Sequence, residues 1–153
     1  MGIQSCITPP NLPDTPEITY TGMSKMELDQ GALNQDSLFI FFSFTDGNGD
    51  IGLDPSDRGT ENFDLIVIDT RTGNIQDRFF LPFVPPKGAA NGIIGNAEVL
   101  ILSTCCLYDD GTPACEINPN QNTDSVIFEV YIMDREGNES NRITTPPITL
   151  NCI

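Results

Sequence analysis

Apolar positions along this chain either alternate with polar ones or run unbroken for a few places, and both patterns end at clusters of Gly, Pro, Asn and Asp. That is the signature of strands separated by turns. Glu17–Tyr20 alternates and predicts a first strand. Ser37–Thr45, SLFIFFSFT, places aromatic and β-branched residues on both parities, as expected of a strand covered on both faces. Asp64–Asp69 predicts a second central strand, and Arg71-Thr72-Gly73-Asn74 a hairpin turn into Ile75–Leu81. Pro82, Pro85, Pro86 and the Lys87–Gly92 stretch have no strand capacity and suit a crossing between sheets. Ala97–Thr104 resumes as a strand. Ser125–Met133 alternates, with Val126, Phe128, Val130 and Ile132 on one side. Arg142–Leu150 returns the chain, and Pro146-Pro147 confine it to an edge or a bulge.

No stretch carries a helical period with caps. About seven strands, with Gly and Pro abundant between them, predict an all-β fold: an antiparallel β-sandwich of the immunoglobulin-like or fibronectin type III-like kind, with a jelly roll as the second architecture. The absence of Trp argues against a true antibody-type domain. Residues 7–16, ITPPNLPDTP, hold four prolines and no periodicity. They predict an extended, semi-rigid tether, so that 1–16 is an N-terminal tether and 17–153 one domain. A chain of 153 residues is long enough for a single core.

Charge narrows the function classes. Seven basic against 22 acidic side chains leave a formal charge of −15. Such a surface repels a phosphate backbone, so nucleic acid is not an expected partner. The chain has no His, which removes the commonest general base and the usual ligand of a catalytic zinc. Nor does it hold an apolar run long enough to span a membrane.

The densest cluster of side-chain oxygens follows the strongest strand. Asp46, Asn48, Asp50, Asp54 and Asp57 fall at loop positions one, three, five, nine and twelve, the stations that supply or relay ligands in a helix-flanked calcium loop. Position six is Ile51 where that loop needs Gly, and no helices flank it. A β-loop calcium site is the reading that survives. The rival is a plain turn, since Asp, Gly and Asn tolerate left-handed backbone. In an immunoglobulin-like sandwich the loop after the second strand and the turn between the last two strands emerge at one end, which would bring Asp134 and Glu136 toward Asp46 and Asp50.

Cys105 and Cys106 are adjacent at a strand end and face opposite ways, so each needs its own partner. With Cys115 and Cys152 they predict two disulfides, the rival being a zinc site built from the four thiols, which an exported protein would ordinarily oxidise. Cys106 with Cys115 and Cys105 with Cys152 is the preferred pairing, and the reverse remains open. Cys6 is the odd thiol. Ile3-Gln4-Ser5-Cys6 is similar to the end of a bacterial lipoprotein signal, in which that Cys is lipidated.

Cys6, the Pro9–Pro16 tether, the FTDGNGDIG segment through Gly52, the Cys-Cys…Cys loop and the Asp134-x-x-Gly137-Asn138-x-Ser140 hairpin together resemble small lipoproteins of Bacteroidetes cell envelopes. The resemblance covers almost the whole chain. It implies an immunoglobulin-like domain on a lipid anchor in the cell envelope, with no enzyme activity assigned and no ligand. The expected function is a non-enzymatic adhesion, assembly or binding module that meets the membrane only through Cys6 and whose partner is an envelope protein or a glycan. A glycan hydrolase working with Asp69, Glu98 or Glu129, or a metal-free structural spacer, are the alternatives.

Overall fold

The computed structural model describes residues 11–85 and 92–153. Among them the fold is all-β, with no helix. Ten strands follow in order: β1 Glu17–Met23, β2 Glu27–Asp29, β3 Ser37–Asp46, β4 Leu65–Asp69, β5 Asn74–Phe79, β6 Ile93–Leu102, β7 Thr123–Val126, β8 Phe128–Ile132, β9 Ile143–Thr144 and β10 Ile148–Asn151. They form three sheets ordered β1-β3-β6, β2-β10-β7 and β5-β4-β8-β9. Every pairing is antiparallel except that of β2 with β10. The inward side chains of all three sheets meet in one cluster, among them Leu28, Leu38, Ile40, Phe42, Val67 and Phe128. Such layering around a shared core accords with a β-sandwich.

β3 is the centre of its sheet and sets the site. Its even positions Leu38, Ile40 and Phe42 are fully buried, and the same parity carries Asp46 into the interior. Both parities were expected to be covered, yet the outer side is half open: Phe39 is 38% exposed and stacks near Phe41 with ring centroids 6.4 Å apart. A run of aromatics cannot tell a covered face from one whose rings shelter each other.

The Ser125–Met133 pattern places Val126, Phe128, Val130 and Ile132 inside, as its alternation requires. It is not one strand, however. Ile127 breaks the ladder, its carbonyl accepting the Thr70 amide and hydroxyl, so β7 pairs with β10 while β8 pairs with β4. Pro146-Pro147 divide the last expected strand in the same way, into β9 and β10 in different sheets. β6 starts at Ile93, earlier than Ala97, and pairs with β3 over its whole length. The crossing before it does change sheet, with Pro86–Asn91 outside the described residues.

The disulfides correct the preferred pairing. Cys105 bonds Cys115 and Cys106 bonds Cys152, with Cα atoms 4.6 and 6.0 Å apart. The two neighbours do face apart, but it is Cys106 that turns inward: Cys106 and Cys152 are both fully buried. Cys105 is left on the side of the loop that carries Cys115.

Candidate metal centre

The chain leaves β3 at Asp46 and turns through Gly47-Asn48-Gly49-Asp50. Gly49 sits at φ +68°, which glycine adopts without strain. Ile51 then drops back into the core, 1% exposed, and forms an isolated bridge with Asp134 at the end of β8. That bridge closes the centre. Asp46, Asp50 and Asp134 each offer a carboxylate oxygen, and the three lie within 4.8 Å of one another.

The oxygens divide into bound and unbound. Asp46 Oδ2 accepts the Asp50 amide at 2.9 Å, which holds the loop closed. Asp134 Oδ1 accepts the Asn138 amide and its Oδ2 the Asn138 Nδ2, both at 2.8 Å, so one residue orients that carboxylate. Asp46 Oδ1, Asn48 Oδ1 and Asp50 Oδ1 are buried and accept no hydrogen bond from any described group. Buried oxygens without donors are rare in native structures, because each loses its hydration without replacement. Here three occur on alternate residues of one turn, beside a fourth residue whose carboxylate is already aimed. Burial pushes the Asp46 carboxyl up to about 7; the close approach of the Asp50 carboxyl, with which a protonated Asp46 can share its proton, and the Asp50 and Asp134 charges add to the rise.

The surrounding groups fix the loop from below. Arg135 donates through Nη1 to the Ile51 and Gly52 carbonyls at 2.9 and 2.8 Å and through Nη2 to Val84 at 3.0 Å, with its guanidinium over the Phe83 ring. The Arg135 amide donates to the Asp50 carbonyl at 3.0 Å. Asp64, buried, accepts the Leu53 and Leu81 amides at 2.8 and 2.6 Å. Burial raises its carboxyl, and those two amides oppose the rise.

Of the residues singled out from sequence, Asp46, Asp50 and Asp134 are brought together, Asn48 lies between the first two in the turn with its side-chain oxygen buried, and the others are not in the cluster. Asp54 turns back on its own chain, accepting the Ser56 amide at 2.9 Å and hydroxyl at 2.7 Å, and Asp57 is exposed. Both lie outside the carboxylate cluster, because Ile51 is pulled to the sheet at the sixth position and Gly52, at φ +82°, then turns the chain away. Glu136 is exposed and also outside it. Cys6 lies outside the described residues. Asn138 and Arg135 were missed: nothing in the spacing marks Asn138, while Arg135 could have been noticed as a cation directly following Asp134.

The three strand acids considered for catalysis are dispersed. Asp69 is tied to Arg71 at 2.6 Å, and Glu129 to Arg142 at 2.7 Å. Glu98 is the one acid lining an otherwise mostly apolar cavity of about 480 Å³ between β6 and the Phe79–Val84 segment. Comparison with protein-family models, curated proteins and solved structures gave no match to this chain.

Proposed function

We propose that Asp46, Asn48, Asp50 and Asp134 form a calcium site that stiffens one end of an immunoglobulin-like sandwich, and that the domain is a non-enzymatic binding, adhesion or assembly module displayed from a bacterial cell envelope through a lipid on Cys6. The observation that carries the metal reading is the trio of buried, donorless oxygens on Asp46, Asn48 and Asp50 next to the oriented Asp134 carboxylate. All candidate ligands are oxygens and three are carboxylates, a set that suits a hard cation. Four side chains fall short of the six to eight oxygens calcium takes, so backbone carbonyls and water complete the sphere. Three carboxylates against a double charge leave the centre near neutrality.

The wider setting rests on the sequence resemblance and on two disulfides, which persist in oxidising compartments. A hydrolase gains no support from the scattered Asp69, Glu98 and Glu129. Isothermal titration of calcium into chelator-stripped protein tests the site. One equivalent binds, Asp54→Ala and Asp57→Ala bind it unchanged, and Asp50→Ala weakens it at least tenfold. Loss of binding in the Asp54 and Asp57 variants with retention in Asp50→Ala would overturn the assignment.

A further inference from the structure

The turn that carries the proposed ligands is also where the N-terminal tether meets the domain. The Gly47 amide, between ligands Asp46 and Asn48, donates to the Pro13 carbonyl at 2.7 Å. The approach is close: a Cβ on Gly47 would stand 2.3 Å from the Leu12 carbonyl oxygen and 2.7 Å from that of Pro13. Gly92 closes the other side, its missing Cβ 2.9 Å from the Asp46 carbonyl oxygen. Three chain segments thus converge on Asp46-Gly47 with no room for a side chain.

Between that contact and the buried Pro16 the tether is exposed at Pro13, Asp14 and Thr15, and pairing with β3 begins at Glu17. Among the described residues the Gly47–Pro13 bond is the one hydrogen bond that residues 11–16 make. The position of the tether at Leu12-Pro13 therefore depends on the conformation of the 46–50 turn. That conformation presses three carboxylates to within 4.8 Å and buries oxygens without donors. A cation favours it, and repulsion opposes it in the cation's absence.

We propose that cation binding at this turn docks the Leu12-Pro13 segment of the proline-rich tether onto the domain. The inference rests on the calcium reading and adds a regulated element to it. A ligand that selects one state of a turn also selects whatever binds that state, and the coupling is reciprocal. Docking must then strengthen calcium binding by the same factor as calcium strengthens docking.

The test uses the full chain, labelled with nitrogen-15, with calcium or with chelator. Calcium is expected to slow exchange of the Gly47 amide at least tenfold and to raise backbone order at Leu12 and Asp14. Gly47→Ala puts a Cβ into the tether backbone while keeping every proposed ligand. It is expected to remove the calcium response of Leu12 and Asp14 and to weaken calcium binding by about fivefold or more, the usual lower range of such couplings. Calcium that binds by calorimetry yet leaves Gly47, Leu12 and Asp14 unchanged overturns the docking inference and spares the site. No calcium binding by the unaltered chain overturns both.

Discussion

Asp46 ends the most apolar strand of the chain with a carboxylate that has no exposure at all, one oxygen spent on the loop and the other facing more oxygens. Neutralising it should separate two effects. Asp46→Asn keeps the acceptor for the Asp50 amide and relieves repulsion, so the chelated protein should melt about 2–4 °C higher for each kcal/mol relieved. The same variant should lose its response to calcium. Acidity supplies a second check. With the Asp46 carboxyl at about 7 in the folded, metal-free protein and near 4 when unfolded, the metal-free fold is favoured below about pH 4 and loses stability as pH rises through 7. Calcium binding must expel that proton, so its Kd should weaken about tenfold for each pH unit below 7. Calorimetry across pH 5.5 to 8 checks the slope. Asp46, Asn48 and Asp50 were legible from spacing alone, because alternate residues of a turn can face one point. Asp54 and Asp57 fitted the same count, but Ile51 belongs to the core, and burying it sends the rest of the loop elsewhere. Asn138 acts through its own amide and side chain on Asp134, and no spacing rule marks such a partner.

At the scale of elements, hydrophobic pattern located strands better than it located their neighbours. The alternation from Val126 to Ile132 is visible in the chain and holds in the core, whereas the switch of sheets at Ile127 depends on Thr70, a residue far away in sequence. The short β2, three residues long, carries one buried side chain, Leu28, and so offers no period to read. The disulfides show the same limit. Adjacent cysteines must point apart, but which one faces inward depends on how the chain packs after β6, and it is Cys106. Its bond to Cys152 spans 46 positions and that of Cys105 to Cys115 spans 10. Chain-entropy arguments give about 4 and about 3 kcal/mol respectively. Mild reductant should open the partly exposed Cys105–Cys115 bond first, with a drop in stability of about 3 kcal/mol, and the buried Cys106–Cys152 bond only on unfolding. Thiol labelling followed by peptide mapping checks the order, and early labelling of Cys152 would contradict the burial.

For the whole molecule, strong negative charge and an inward-facing acidic turn pull in different directions. The surface carboxylates keep copies apart and do not need a ligand. Asp46 and Asp50 of the 46–50 turn and the neighbouring Asp134 are different because they are crowded, and Asp46 and Asp50 each keep a buried oxygen without a donor. From that contrast comes the account in which a cation completes one end of the sandwich, beside the point where the tether arrives. The most direct measurement is a melting curve of the full chain, stripped of metal, with and without calcium. At calcium a hundredfold above Kd, binding to the folded state alone is worth about 2.7 kcal/mol, which for a chain of this size raises the midpoint by roughly 5–10 °C. Chelator should return it to the starting value, and a midpoint indifferent to both calcium and chelator would contradict the account.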